Sequence, residues 1–126
     1  MSIPNNLKYT KEHEWVLVEG NIGTIGVTEY AQGELGDVVF VDIDPSLSDV
    51  KKGGSIGTIE AVKTVSDIFA PYSGKVVEIN EALKDSPETV NSDPYGKGWM
   101  IKVEISDSAE LSDLLDASAY QALIGQ

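Results

Sequence analysis

The chain repeats part of its own sequence, and this repeat strongly limits how it can fold. Residues 22–25 (IGTI) recur as residues 56–59, and residues 36–41 (GDVVFV) are echoed by residues 74–79 (GKVVEI). Two segments that recur in the same order indicate a duplicated structural unit. The sequence therefore predicts two similar β units arranged about a pseudo-two-fold axis.

The remaining pattern predicts a mainly β fold with few helices. Runs rich in β-branched and aromatic residues, which favour strands, cover residues 14–18, 22–27, 38–43, 55–62, 65–69, 75–79 and 99–105. Thr28 can cap one or two helical turns that Gly36 ends. Residues 85–98, with two prolines and several small polar residues, are typical of a surface loop.

Beyond Ile105 the pattern becomes helical. Ser108 can cap a segment whose apolar residues fall at helical spacing. These residues are Leu111, Leu114, Leu115, Tyr120 and Leu123. At 126 residues the chain is long enough for one small domain. We therefore predict a single domain over residues 1–126, with a core over about residues 14–105 and a C-terminal helical extension over about residues 108–125.

The net charge of −12 limits the partners that the chain can bind. All nine of its Lys and Arg side chains are lysines, and binding to nucleic acid depends on clustered Lys and Arg. We expect no nucleic acid and no membrane as a partner, since the sequence also has no apolar run that could span a bilayer. Without cysteines or a targeting pattern, a cytoplasmic protein is expected. The acidic residues lack the spacing of a calcium or zinc site, so no metal is expected.

Lys63 is the residue to which the sequence assigns chemistry. It is the only basic residue between Gly53 and Gly74, and the run around it, residues 56–69, is typical of two strands joined by a turn. We predict that the Lys63 amine is exposed at a hairpin tip. A primary amine there suits the attachment of a swinging prosthetic group, because the amide bond removes the charge and the lysine stem lengthens the arm.

Several segments together resemble one family. In chain order they are residues 7–9 (LKY) with 13–16 (HEWV), 25–28 (IGVT), 35–41 (LGDVVFV), 60–67 (EAVKTVSD) with 70–74 (APYSG), and 91–95 (NSDPY) with 98–102 (GWMIK). This series resembles the biotinyl/lipoyl carrier family and, within it, the H proteins of the glycine cleavage system. The resemblance implies a barrel-sandwich hybrid, the mainly β fold of lipoyl and biotinyl carriers, with a pseudo-two-fold repeat.

The same resemblance implies that Lys63 carries (R)-lipoate. Val62 and Thr64 flank Lys63 where biotinyl carriers present methionines. Val62 also stands where the lipoyl domains of 2-oxoacid dehydrogenases usually have aspartate. Glu60 and Gly74 match the family's positions for recognition by the lipoyl ligase or transferase.

The function implied by the resemblance is that of a non-catalytic carrier. The arm on Lys63 takes an aminomethyl group from a glycine decarboxylase and presents it to a tetrahydrofolate-dependent aminomethyltransferase. A dihydrolipoamide dehydrogenase then reoxidises the arm. Two alternatives remain, a relative that relays lipoyl groups to other proteins and a biotin carrier. A hydrolase that uses His13 is a third, although no partnered nucleophile is recognisable.

Glu14 and Asp67 match the positions that line the docking cleft of the loaded arm in this family. A carboxylate suits that role, because the aminomethyl group has a cationic amine that it can hold by a charge-assisted hydrogen bond. Glu12 stands where a relative has serine, so the contacts in the cleft differ in detail. By contrast, Trp15 and Trp99 are interpreted as packing residues, since aromatic residues in a small β sandwich mostly pack.

Overall fold

A computed structural model describes residues 2–125 and contains two antiparallel β-sheets. The strands are β1 (Lys8–Tyr9), β2 (Glu14–Glu19), β3 (Ile22–Val27), β4 (Val38–Asp42), β5 (Asp49–Val50), β6 (Ser55–Ala61), β7 (Val65–Phe69), β8 (Gly74–Ile79) and β9 (Ile101–Ile105). The six-stranded sheet has the order β1-β2-β3-β9-β8-β5, and the three-stranded sheet has the order β4-β6-β7.

Short helices connect and follow the strands. They are α1 (Glu29–Leu35), α2 (Ala82–Asp85), α3 (Thr89–Ser92), a 3₁₀ helix (Ser108–Asp113) and α4 (Ala117–Leu123). As predicted, Thr28 caps α1 by accepting the Ala31 N–H at 3.1 Å, and Gly36 ends the helix. Within residues 2–125, no helix is long and apolar enough to cross a membrane.

The repeat in the sequence corresponds to strands that lie in opposite sheets. The first copy forms β3 in the six-stranded sheet and β4 in the three-stranded sheet. The second copy forms β6 in the three-stranded sheet and β8 in the six-stranded sheet. The two copies therefore occupy the two sheets in opposite order, as a pseudo-two-fold arrangement of two β units requires. With nine strands in two sheets and only short helices among the described residues, the predicted mainly β fold is confirmed.

The main core lies between the two sheets, and side chains from both sheets fill it. Representative residues, each at most 4% exposed, are Ile25, Val41, Ile59, Ile68 and Val103. Burial of one such side chain contributes about 1.5–3 kcal/mol. This shared core therefore holds the sheets in the positions from which the functional residues extend.

A second apolar cluster joins the two ends of the chain. Its buried members are Leu7, Tyr9, Trp15, Ala117 and Tyr120. Tyr9 stacks on Tyr120 with ring centroids 4.6 Å apart. Trp15 is 1% exposed, which confirms its interpretation as a packing residue. Ala117 and Tyr120 of the C-terminal extension pack in this cluster against residues of β1 and β2.

The prediction that residues 85–98 form only a surface loop is wrong. They contain α3 and its fully buried Val90. The Asn91 side chain accepts the Val38 N–H at 2.8 Å and donates to the Gly36 carbonyl at 3.0 Å, which ties α3 to the end of α1. These bonds join residues that are distant in the sequence, so local composition could not predict them.

The C-terminal extension is helical, but it is not one segment capped by Ser108. Asp107 caps the 3₁₀ helix instead, and its carboxylate accepts a backbone N–H at 3.0 Å. Leu115 then pairs with Tyr9 as an extended residue before Asp116 caps α4. The backbone pairing with β1 interrupts the helix because a tertiary contact outweighs the weak local preference for helix.

Candidate functional site

Lys63 lies on the tight turn between β6 and β7. The bond from the Ala61 N–H to the Thr64 carbonyl closes the turn at 2.9 Å. Val62 is 72% exposed, and Lys63 is exposed as well. Within the part of the chain that the structure describes, no carboxylate is within ion-pair distance of the Lys63 amine. The predicted exposed hairpin tip is therefore confirmed.

The backbone of this turn is anchored although the amine is free. The Val62 N–H donates to the Asp37 carbonyl at 3.0 Å, and the Lys63 N–H donates to the Leu35 carbonyl at 3.2 Å. Gly36 lies between these two acceptors with a φ of +83°, and a Cβ placed on it would lie 3.2 Å from the Lys63 Cγ. Glycine therefore supplies both the left-handed backbone and the space for the lysine stem.

A small acidic cleft opens beside this anchor. Its volume of about 130 Å³ is below the roughly 300–1,000 Å³ of pockets for drug-sized ligands. The lining residues come from β2 and the preceding turn, β3, α1 and the β6–β7 hairpin: Glu12, His13, Glu14, Val27, Ala31, Glu34, Leu35, Ile59, Ser66 and Asp67. Four of these residues are acidic and none is Lys or Arg, so the cleft suits a small cation.

A larger depression of about 390 Å³ shares Glu12 and Glu14 with the acidic cleft. It extends to Lys52, whose amine forms a salt bridge with a carboxylate of the 3₁₀ helix. Leu35, whose backbone carbonyl accepts the Lys63 N–H, lines the acidic cleft and not the larger depression. The backbone of Lys63 is therefore anchored to a residue that lines the acidic cleft.

Glu14 is the buried acid of the cleft, with 2% of its surface exposed. Its carboxylate accepts hydrogen bonds from the Thr10 hydroxyl at 2.6 Å and from the Phe69 N–H at 3.2 Å. Burial raises the pKa of Glu14 to about 7, although both hydrogen bonds favour the ionised form. Glu14 therefore titrates near neutral pH, and a cation beside it would stabilise the carboxylate.

Asp67 lines the same cleft from β7, and it is exposed, as are Glu12 and Glu34. The fold thus brings together Glu14 and Asp67, which are far apart in the sequence. Glu12 adds an acid to the lining and keeps the cleft negative. Within residues 2–125, no three His, Cys, Asp or Glu side chains are arranged to hold a metal ion. The role of Glu14 and Asp67 in docking an arm stays a prediction.

Glu60 is exposed on β6 and does not line the cleft. In the register of the three-stranded sheet it lies between Phe40 of β4 and Val65 of β7. Phe40 and Val65 are 43% and 60% exposed. We call these two side chains the apolar patch. Exposed apolar residues that lie side by side mark an interaction surface, and Glu60 lies between these two.

Gly74 lies in the other sheet and is buried. It belongs to β8, where it pairs with Val50 of β5 and Ile105 of β9. A Cβ on Gly74 would overlap the backbone carbonyl oxygen of Glu104, so only glycine fits without a shift of the backbone. Packing explains this glycine, and its role in recognition by a ligase stays a prediction.

Sequence reasoning missed a contact that reaches the cleft from the C-terminal helix. His13 lines the cleft, and its Nδ1 lies 2.9 Å from the hydroxyl oxygen of Tyr120 on α4. Burial lowers the pKa of His13, although Glu12 and Glu34 oppose this effect. Helical spacing indicated a helix around Tyr120, but no local pattern connects that residue with His13.

Known proteins resemble this chain over its whole length. The family described as Glycine cleavage H-protein matches residues 7–126. The "Glycine cleavage system H protein" of Staphylococcus haemolyticus (strain JCSC1435) is 59% identical, and that of Staphylococcus carnosus (strain TM300) is 57% identical, each over 100% of both chains. A crystal structure of a glycine cleavage system H protein from Mycobacterium marinum matches with a TM-score of 0.89 at 40% identity, covering 98% of this chain and 100% of that one. The chain therefore belongs to the glycine cleavage H-protein family.

Proposed function

We propose that the chain is a lipoyl carrier of the glycine cleavage system and that Lys63 bears the lipoyl group. The observation that carries this proposal is the exposed Lys63 residue, on a turn whose backbone is anchored to a residue that lines an acidic cleft. Membership of the glycine cleavage H-protein family supports it. The whole chain then acts as one carrier domain without catalytic residues of its own.

The residues around Lys63 fit a lipoyl arm. Attachment needs a primary amine that an enzyme can reach, and Lys63 is an exposed residue at a turn. Once bound, lipoate would supply the disulfide that takes up the aminomethyl group of glycine. The chain would supply a fixed base for the arm, through the backbone bonds of Val62 and Lys63, and a small negative site beside it.

Glu14 and Asp67 are the residues proposed to hold the cationic amine of this cargo. Two hydrogen bonds orient the Glu14 carboxylate, and its burial reduces competition from water. A hydrogen bond between charged groups in such a site contributes about 1.5–3 kcal/mol. Cargo held in the cleft would also be shielded from hydrolysis.

The proposed partners are the glycine decarboxylase, the aminomethyltransferase, the dihydrolipoamide dehydrogenase and the lipoyl ligase or transferase. The ligase or transferase must reach the Lys63 amine itself, so it would cover Glu60 and the apolar patch. Gly74 lies in the other sheet, and its proposed effect on recognition is indirect, through the fold. The net charge of −12 favours partners with basic surfaces and makes association sensitive to salt.

Intact-mass measurement tests the attachment. Incubation with a lipoyl ligase, lipoate and ATP should add one lipoyl group, and peptide mapping should find it on Lys63, because that amine is exposed at a turn. A parallel incubation with a biotin ligase, read by streptavidin, serves as the control. Modification of a different lysine, or attachment of biotin rather than lipoate, would contradict the proposal.

Neutralising both proposed docking acids should weaken the hold on the cargo and leave lipoylation intact. In Glu14→Gln/Asp67→Asn, the new side chain at position 14 can still accept the Phe69 N–H, so the local fold is kept while the charge is lost. We expect the loaded protein to release formaldehyde and ammonia about tenfold faster or more, since a loss of about 1.4 kcal/mol is a factor of ten.

The matched control is Glu19→Gln/Asp49→Asn, which removes two exposed charges outside the cleft and should leave the release rate unchanged. The pH dependence gives a further check. The pKa of Glu14 is about 7 in the empty cleft, and a docked cation lowers it. Below about pH 7, protonation of Glu14 therefore weakens the binding of the cationic cargo. The wild type should release its cargo more slowly than the double variant at neutral pH, and this difference should shrink as the pH falls. Equal release from all three proteins would mean that both acids belong to the general acidic surface.

A further inference from the structure

The hydroxyl of Tyr120 connects the C-terminal helix to two walls of the acidic cleft. The side chain is fully buried, and its oxygen lies 2.9 Å from Nδ1 of His13 and 2.8 Å from Oγ1 of Thr28. His13 belongs to residues 12–14, which form one wall. Thr28 is the N-cap of α1, which forms another. A single buried hydroxyl therefore contacts both elements that shape the cleft on this side.

The contact at Thr28 extends into α1. The Thr28 Oγ1 also accepts the Ala31 N–H at 3.1 Å, which orients the first helical turn. The Thr28 N–H donates to the His13 carbonyl at 3.0 Å, so a backbone bond joins the same two walls. A change at the Tyr120 hydroxyl would consequently act on the cap of α1 as well as on His13.

His13 depends on its surroundings, because its φ of +72° lies in the left-handed region. That region is unfavourable for residues other than glycine and persists where neighbouring contacts impose it. The rings of Tyr30 and Tyr120 pack on the imidazole with centroid distances of 4.9 and 5.8 Å. The conformation of His13 turns the chain between Glu12 and Glu14, so it also determines where these two acids lie.

We propose that α4 holds the acidic cleft in shape through Tyr120, which acts as a positioning residue for residues 12–14 and for α1. The C-terminal helix thereby keeps Glu12 and Glu14 opposite α1, where a cationic cargo would be shielded from water. The benefit for the cargo rests on the proposed lipoyl function. The effect of the Tyr120 hydroxyl on the two walls is independent of that function, so it can be measured on the unmodified chain.

Packing alone is the competing explanation for Tyr120. Its ring stacks on Tyr9 with an angle of 9° between the planes, and this contact would stabilise α4 without any help from the hydroxyl. Tyr9 is equally buried, but its hydroxyl donates to the carbonyl of Pro4, which does not line the cleft. Tyr9 therefore offers a matched control, in which the same atom is removed from the same cluster.

The experiment compares Tyr120→Phe with Tyr9→Phe, which both keep the stacked rings. The amides of His13 and Thr28 donate to the carbonyls of Thr10 and His13, so their hydrogen exchange reports on the walls. In unmodified protein we expect these amides to exchange about five- to tenfold faster in Tyr120→Phe and near the wild-type rate in Tyr9→Phe. In lipoylated and loaded protein, cargo release should rise several-fold in Tyr120→Phe alone.

The outcomes separate this inference from the proposed function. Equal exchange in the two variants would overturn the positioning role, because the hydroxyl would then contribute only to packing. Faster exchange without faster cargo release would overturn the claim that these walls shield the cargo. If the wild type accepts no lipoate, the proposed function and the claim about cargo fail, whereas the exchange rates still decide whether Tyr120 holds the walls.

His13→Asn and His13→Ala provide a second test at the other end of the hydrogen bond. Asparagine tolerates the left-handed region and carries an amide that can replace the imidazole Nδ1 as a partner of Tyr120. Slow exchange of the Thr28 amide should therefore survive in His13→Asn and be lost in His13→Ala. Exchange of the Thr28 amide that stays as slow in His13→Ala as in the wild type would show that the bond to Tyr120 does not hold the wall.

Discussion

Lys63→Arg should abolish aminomethyl transfer and leave the fold unchanged. Arginine keeps the positive charge and a long stem, but its guanidinium cannot form the lipoyl amide. The Lys63 side chain is exposed at a turn, where substitutions usually change the free energy of unfolding by less than about 0.5 kcal/mol. The measurements are glycine cleavage in the reconstituted system and thermal unfolding of the unmodified chain.

Lys84→Arg is the control for this prediction, because Lys84 is an exposed lysine on α2, away from the hairpin. It should be lipoylated and support glycine cleavage as the wild type does. Normal activity of Lys63→Arg would rule out Lys63 as the attachment site. Loss of activity together with a lowered unfolding temperature would instead point to a structural role of this side chain.

Gly74→Ala should destabilise the fold strongly. The added methyl group would overlap the backbone oxygen of Glu104 on the adjacent strand, and a backbone atom cannot move aside as a flexible side chain can. We expect a loss of about 3 kcal/mol or more in the free energy of unfolding, which lowers the unfolding temperature by roughly 10 °C. Denaturant and thermal unfolding of the unmodified chain measure this effect.

Gly33→Ala is the matched substitution at a position with free space. Gly33 lies inside α1, and a Cβ there would meet no atom within 4 Å. Alanine favours the helix, so this variant should be more stable by about 0.5–1 kcal/mol. If Gly74→Ala folds normally but accepts no lipoate, Gly74 acts in recognition by the ligase. If it folds normally and accepts lipoate, neither the packing nor the recognition role holds.

The hairpin shows what a local pattern can predict. Residues 65–69 were predicted as a strand and form β7 with the same bounds, and the turn that presents Lys63 lies where the sequence indicated it. Strand preference and turn residues act between near neighbours, so a single sequence carries this information. The anchoring of the turn was not predictable in that way. It depends on the carbonyls of Leu35 and Asp37, which another part of the chain supplies.

For the acidic residues, too, one part could be predicted from the sequence and another depended on the fold. The resemblance to a family assigned Glu14 and Asp67 to one cleft, and the fold brings them together. Nothing in the sequence indicated that Glu14 would be buried while Asp67 stays exposed. Burial follows from how β2 packs against the neighbouring elements, and the raised pKa of Glu14 is its consequence.

Three features could be read from the sequence alone. The internal repeat indicated the two β units, the turn residues indicated the exposed lysine at a hairpin tip, and the composition gave the negative charge. Three others became visible in the folded chain: Gly74 serves packing, α3 is tied to the end of α1, and Tyr120 reaches His13 from the other end of the chain. Each of these depends on a contact between residues that are far apart in the sequence. Such contacts arise when the sheets and helices pack, and no local preference encodes them.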